Sequence, residues 1–161
     1  MRRVRFSGFP LALFLLTLLL PGAACRTEPG VTEERVIETL AALEEATLQK
    51  DPDAIARLFS PDFTARLVVP GENRPQIRVM NRGDYVRSLR LAFRNASPLD
   101  LDRTNTRVEI AAAGRSARAT YNLQRTESVN KRLEKRSTQN SVVLEFKAGE
   151  LLIKSLHIVD L

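Results

Sequence analysis

Apolar residues recur every three or four positions in three segments of the first hundred residues, which is the spacing of amphipathic helices. Candidate N-caps precede each segment: Thr32, Asp51 (followed by Pro52) and Asn81. The three apolar stripes are Val36, Leu40 and Leu43; Ile55, Leu58 and Phe59; and Tyr85, Val86, Leu89 and Phe93. We expect these helices to end at Lys50, at Ser60–Pro61 and at Ser97–Pro98.

The spacing changes to two residues in the second half of the chain, which is typical of strands. Predicted strands cover 63–69, 76–80, 107–110, 117–124, 138–146 and 151–159. The last four are joined by short links at 113–115, in a basic segment around 130–135, and at 147–150. Strands joined in this way predict an antiparallel meander, and helices followed by a run of strands predict an α+β domain over residues 31–161.

The first 25 residues have the layout of an export signal. Three arginines precede an apolar run from Leu11 to Leu20, and small residues lead from there to Cys25. The run is shorter than the roughly 20 residues that a membrane-spanning helix needs. We expect 1–24 to be a lipoprotein signal peptide, Cys25 to be acylated and 25–30 to be a polar tether. Ordinary cleavage near Ala24 is the alternative, since Gly22 stands where lipoprotein signals usually have Leu.

Cys25 is also the only cysteine, so an internal disulfide is excluded and a lipid-carrying role is favoured. Arg26 stands where an Asp would retain a lipoprotein at the inner membrane. We therefore expect an anchor in the outer membrane, with the domain facing the periplasm. The net charge of +6 falls to +3 once residues 1–24 are removed, which weakens the case for nucleic-acid binding, as export does.

Few side chains offer catalytic chemistry. His157 is the only histidine, and it is interpreted either as a general base in a cavity or as a structural residue on the last strand. Tyr85 and Tyr121, the only tyrosines, are expected either in the core or at a cavity. Acids at 100, 102 and 109 are expected at a solvated strand edge, and no metal site or cofactor is predicted. The basic cluster Lys131, Arg132, Lys135 and Arg136 is expected to form a solvated hairpin tip, with contact to anionic lipid as the alternative.

Three passages resemble the nuclear transport factor 2-like superfamily, with the SnoaL-like bacterial branch the most similar. The segment from Lys50 to Phe63, KDPDAIARLFSPDF, resembles the passage between the family's first helices. Gly83-Asp84-Tyr85 resembles the start of its third helix, and Gly149 to Ile158, GELLIKSLHI, resembles its last strand with Leu151 where Trp is frequent. The resemblance implies a conical domain with helices packed on a curved sheet around a cavity, over 31–161.

The family contains isomerases, dehydratases, cyclases, binding modules and proteins with no known activity, so the fold alone does not decide the function. The isomerases use a tyrosine in the first helix and a carboxylate near the position of 66–69, and this chain has neither. We therefore expect a non-enzymatic module that binds a small, mostly apolar ligand or a partner protein. The alternative is an isomerase or dehydratase with His157 as base. The expected cavity residues are Phe63, Tyr85, Leu89, Tyr121, Ile153 and His157.

The resemblance also implies a homodimer formed through the outer face of the sheet. If Leu151, Ile153 and His157 point inward, strict alternation sends Leu152, Leu156 and Ile158 outward. Three large apolar residues on a solvent face are typical of a contact surface. The alternative is that this strand is covered on both faces within one chain.

Overall fold

The computed structural model describes residues 30–72, 74–129 and 131–161, which form three helices and six strands. The helices are α1 (Glu33–Leu48), α2 (Pro52–Arg57) and α3 (Arg82–Asn95). The strands are β1 (Phe59–Val69), β2 (Gln76–Asn81), β3 (Ala96–Ile110), β4 (Ser116–Val129), β5 (Arg132–Lys147) and β6 (Glu150–Asp160). The α+β class and the predicted order of elements are confirmed.

Side-chain caps start all three helices where the sequence predicts them. In each case an oxygen of the capping side chain accepts a hydrogen bond from a backbone N–H of the first turn, which would otherwise lack a partner. The pairs are Thr32 with Arg35 (3.4 Å), Asp51 with Asp53 (3.0 Å) and Ala54 (2.8 Å), and Asn81 with Asp84 (2.9 Å). Pro52 occupies the first turn of α2, where its missing N–H costs nothing.

The six strands form one sheet in the order β2-β1-β6-β5-β4-β3. The strands β3 to β6 are the predicted antiparallel meander, and β1 and β2 form an antiparallel hairpin. The hairpin joins the meander through a parallel pairing of β1 with β6. The helices cover one face of this sheet, which is called the inner face below; the opposite face is the outer face.

Several element boundaries differ from the sequence-based expectation. The strand β1 begins at Phe59, so α2 ends at Arg57 rather than at Ser60–Pro61, and a register shift lies between Phe59 and Thr64. The strand β3 begins directly after α3, eleven residues earlier than expected. The predicted basic link is mostly strand, because Arg132 already pairs with Val129. These strand ends border solvent or a cavity, so they lack the apolar alternation on which strand prediction depends.

The packed core lies between the first half of α1, α2, α3 and one end of the inner face. Phe59 and Phe63 stack with their ring centroids 3.9 Å apart, and Tyr85 packs against both at 5.7 and 5.5 Å. The fully buried side chains around them include Val36, Leu40, Ile55, Val142, Leu144 and Ile153. Burial of each large side chain contributes about 1.5–3 kcal/mol, so this end of the domain supplies much of its stability.

A β-bulge at Lys154 changes which residues of β6 face inward. Val143 pairs with Ser155 and Leu144 pairs with Ile153, so Lys154 is an extra residue without a partner on β5. Before the bulge Leu151 and Ile153 are buried, and after it Leu156 is buried instead of Ser155. The inward-facing positions are therefore odd-numbered before the bulge and even-numbered after it.

Candidate functional site

A cavity of about 500 Å³ lies at the end of the inner face beyond the packed core. The second half of α1, most of α3 and five of the strands surround it. Its apolar wall is formed by Leu43, Leu67, Leu89, Phe93, Leu101, Leu123, Leu156 and Ile158. A cavity of this size with mostly apolar walls and a few polar groups has the typical character of a small-molecule site.

The two tyrosines form the polar part of the wall nearest the core. Burial raises the pKa of Tyr85 to about 12, against the opposing effect of the positive charge on Arg125. Burial also raises the pKa of Tyr121, and the negative charge of Glu44 adds to that rise. Both phenols are therefore protonated at neutral pH, and each can donate a hydrogen bond to a ligand in the cavity.

Charged residues of β4 and β5 line the cavity nearer its mouth. The Glu127 side chain is only 7% exposed, although both arginines beside it are about half-exposed. Arg125 Nε lies 3.3 Å from Glu127 Oε2, and Arg136 Nε lies 3.3 Å from Glu127 Oε1. Asn140 is buried in the same wall and donates to Thr138 Oγ1 at 3.1 Å. The ion pairs engage both carboxylate oxygens of Glu127, so this group is poorly placed to accept a proton from a ligand.

An ion pair joins α1 to β3 beside the cavity. Arg103 Nε donates to Glu44 Oε1 at 2.7 Å, and both side chains are mostly buried. The guanidinium of Arg103 also lies 5.8 Å from the ring centre of Tyr121, within the range of a cation–π contact. This arrangement places a cation over the Tyr121 ring and holds the second half of α1 against the sheet.

The structure brings three of the six predicted cavity residues together. Tyr85, Leu89 and Tyr121 line the cavity. Phe63 and Ile153 are buried in the packed core behind it, so their assignment to the cavity wall is wrong.

His157 is misplaced by the same sequence-based argument. It pairs with Ser141 and Arg66 on the outer face, because the bulge at Lys154 turns it away from the cavity. Its Nε2 atom is buried, and no hydrogen-bond partner for it lies within the described part of the chain. The predicted role of His157 as a base acting on a ligand in this cavity is therefore wrong.

The bulge also overturns most of the predicted dimer surface. Leu156 and Ile158 line the cavity and do not face solvent, whereas Leu152 precedes the bulge and lies on the outer face. The large apolar residues that are exposed on this face in the described ranges include Ile77 and Val79 of the edge strand β2 and Leu133 of β5. Val79 pairs with Arg66, which in turn pairs with His157, so Val79 shares the outer face with the histidine.

Sequence reasoning missed the charged residues of the cavity, which are Arg125, Glu127 and Arg136 together with Glu44 and Asp160. A signal for the first two was present, because they continue the alternation of Ala119, Tyr121 and Leu123 along β4. Charged residues in phase with an apolar face are candidates for a polar site. Arg136 belongs to the basic cluster that the sequence predicts as a solvated hairpin tip, and that pattern gives no signal for the inner face.

The described residues hold neither a metal-binding cluster nor a membrane-spanning helix. Within 30–72, 74–129 and 131–161, no group of three or more His, Cys, Asp or Glu side chains is placed to hold a metal ion. In the same residues no helix has the length and apolar character needed to cross a membrane. The predicted signal peptide, and Cys25 with it, lies outside the described residues.

Comparisons with known proteins bear on the fold. No family model matches the chain, and no curated protein matches its sequence. Among solved structures, a ketosteroid isomerase-like protein from Erwinia carotovora is similar at a TM-score of 0.63, with 15% identity over 81% of this chain and 98% of that one. An NTF2-like protein from Cytophaga hutchinsonii has a TM-score of 0.64 and 9% identity, covering 81% of this chain and 100% of that one. An NTF2-like protein of unknown function in nutrient uptake from Rhodospirillum rubrum has a TM-score of 0.62 and 12% identity, covering 78% of this chain and 98% of that one. The chain therefore has the nuclear transport factor 2-like fold.

Proposed function

We propose that this domain is a non-enzymatic binding module whose cavity holds a small, mostly apolar ligand. The observation that carries the proposal is the cavity of about 500 Å³ between α1, α3 and the sheet, with six leucines among its lining residues. Apolar area buried in such a cavity contributes about 25 cal/mol per Å² before the cost of association is subtracted. The protonated tyrosines supply the few polar contacts that orient a ligand.

The enzymatic alternative loses its proposed base. The only histidine of the chain lies on the outer face, and Glu127 is occupied by two guanidinium groups. The cavity can enclose a ligand, but its described wall contains no imidazole for acid–base chemistry.

A neutral apolar dye tests this proposal. The fluorescence of N-phenylnaphthylamine is expected to rise on addition of the purified protein, because the dye leaves water for the cavity. Leu89→Trp adds bulk to the cavity wall and should abolish most of the rise. Leu91→Trp is the matched control, since Leu91 lies on the same helix but is exposed and should leave binding unchanged. Equal binding by both variants, or no binding by the wild-type protein, would contradict the proposal.

We also propose that the chain is an envelope lipoprotein that is anchored through Cys25 in the outer membrane and faces the periplasm. The support is the sequence of residues 1–25, with a cationic start, an apolar run and a single cysteine after small residues. Mass spectrometry of the mature N-terminus should show cleavage before Cys25 and a mass increase from acylation. Cys25→Ser should remove that increase and shift the protein from the membrane fraction. An unmodified Cys25 in the mature protein would refute the anchor.

A homodimer formed through the outer face remains part of the proposal, with different contact residues. Ile77 and Val79 are 54% and 69% exposed on the edge strand β2, and exposed apolar residues of this kind favour association. Sedimentation should give a dimer at micromolar concentration and a folded monomer for Ile77→Lys/Val79→Lys. Leu91→Lys on α3 is the control that should stay dimeric. A monomeric wild-type protein at high concentration would rule the dimer out.

A further inference from the structure

Two arginines lie directly opposite each other beside the cavity. Arg125 of β4 is the cross-strand partner of Arg136 of β5, and both side chains border the cavity. Like charges directly opposite each other in an antiparallel pair are destabilising. Such a pair therefore needs negative charge from neighbouring groups. An arginine that the neighbouring carboxylates balance only in part is a candidate to bind an anionic ligand.

The carboxylates around this pair favour Arg136. Arg136 Nη2 donates to Glu134 at 3.0 Å, and the pKa of Arg136 is raised by this hydrogen bond and by the charges of Glu127, Glu134 and Asp160. Among the described residues Arg125 has one ion-pair partner, Glu127, which it shares with Arg136. The positive charge on Arg125 is therefore the less completely balanced of the two.

The geometry around Arg125 leaves donor capacity. Its contacts with Glu127 are 3.3 Å long, whereas strong charge-assisted hydrogen bonds measure about 2.7–2.9 Å. The Nε atom of Arg125 is buried 3.3 Å from Glu127 Oε2, so the donors left for a ligand are those of the two terminal nitrogens, of which Nη2 also donates to Glu127 Oε1. A guanidinium has five N–H donors, so Arg125 can still receive a planar anion.

Tyr85 adds a neutral donor to the same wall. Its ring is buried against Phe59 and Phe63, and it borders the cavity together with Arg125. The charge of Arg125 acts on the Tyr85 phenol, which nevertheless stays protonated because burial raises its pKa to about 12. A guanidinium and a phenol are both donors, and the ligand group that complements them is an acceptor.

We propose that the cavity binds an amphipathic monocarboxylic acid, with its carboxylate on Arg125 and Tyr85 and its apolar body against Leu43, Leu89, Phe93 and Leu123. This inference rests on the proposed function, and it adds the chemical class of the ligand. In the free protein Arg125 and Arg136 share the negative charge of Glu127. In the bound state Glu127 stays paired with Arg136, and the ligand carboxylate supplies the negative charge for Arg125.

Calorimetric titration of the purified protein with three probes of equal chain length tests the inference. The probes are decanoate, decanol and decylammonium, which share an apolar body and carry an anionic, a neutral and a cationic head group. Decanoate should bind about tenfold or more tightly than decanol, because a hydrogen bond to a charged group contributes about 1.5–3 kcal/mol. Decylammonium should bind most weakly. Equal binding of decanoate and decanol would overturn the carboxylate site and leave the proposed function intact, whereas binding of none of the three would refute both.

Variants assign the contact to its residues. Arg125→Gln should weaken decanoate binding about tenfold to a hundredfold and leave decanol binding unchanged, and Tyr85→Phe should weaken decanoate binding about tenfold. Arg118→Gln is the matched control, because Arg118 lies on the same strand but is exposed on the outer face. The preference of the wild-type protein for decanoate needs no variant, so it decides the question even if Arg125→Gln fails to fold. A preference that survives Arg125→Gln in a folded protein would overturn the role of Arg125.

Discussion

Leu156 and Val159 lie three residues apart on β6 and therefore on opposite faces of the sheet, and the bulge at Lys154 decides which of them faces the cavity. Leu156 is 5% exposed and borders the cavity, while Val159 is partly exposed on the outer face. Replacing each with Asp introduces the same side chain, with the same low strand propensity, into two different environments. The pair therefore tests which face each residue occupies.

The expected cost at Leu156 has two parts. Loss of a buried leucine costs about 1.5–3 kcal/mol. A buried carboxyl group without a cationic partner shifts its pKa upward by up to about 3–5 units at 1.36 kcal/mol each, which is about 4–7 kcal/mol at neutral pH. Together these approach the whole stability of a typical domain, about 5–15 kcal/mol. At Val159 the cost should stay near 1 kcal/mol.

Urea unfolding monitored by circular dichroism measures both variants. Leu156→Asp should lose most of its cooperative transition at neutral pH and regain part of it at mildly acidic pH. The sign follows from linkage, because a carboxyl whose pKa is higher in the folded state favours folding where it is protonated. Val159→Asp should keep a cooperative transition, with the free energy of unfolding lowered by about 1 kcal/mol. If Leu156→Asp stays fully stable while Val159→Asp unfolds, the alternation along β6 is unbroken and the cavity assignment is wrong.

Two further predictions concern the cavity wall and the helix beside it. Tyr85 and Tyr121 are the only tyrosines, and burial raises the pKa of both, so phenolate absorbance should show no titration near pH 10 in the folded protein. The free energy of unfolding should fall as the pH rises from about 10 towards 12, because the unfolded chain loses the phenol protons first. A normal tyrosine titration in the folded protein would contradict this. Glu44→Gln should lower the free energy of unfolding in urea by about 1–3 kcal/mol, because it breaks the mostly buried ion pair with Arg103. The control Glu38→Gln, on the exposed side of α1, should lower it by about 0.5 kcal/mol or less. Equal losses in the two variants would show that the ion pair contributes nothing.

The helices were predictable because their determinants are local. A capping side chain acts on backbone groups two or three residues away, so Thr32, Asp51 and Asn81 mark the helix starts without knowledge of the rest of the fold. The strand order of the meander was predictable for a related reason, since short links force neighbouring strands to pair. The long ends of β3, β4 and β5 were missed because they are stabilised by pairing with one another beyond the apolar core.

The face of each residue on β6 depends on a contact that the strand itself does not encode. Leucine and isoleucine occupy both odd and even positions between 151 and 158, so its periodicity is compatible with either orientation. The orientation of β6 is set by its pairing with β5, on which the alternate residues Asn140, Val142 and Leu144 are all buried. One extra residue, Lys154, then decides whether the cavity contains an imidazole or the side chains of Leu156 and Ile158. With the bulge present, the chain's only histidine is excluded from the cavity. The polar groups that remain in its described wall include the hydroxyls of Tyr85 and Tyr121 and the guanidinium groups of Arg125 and Arg136.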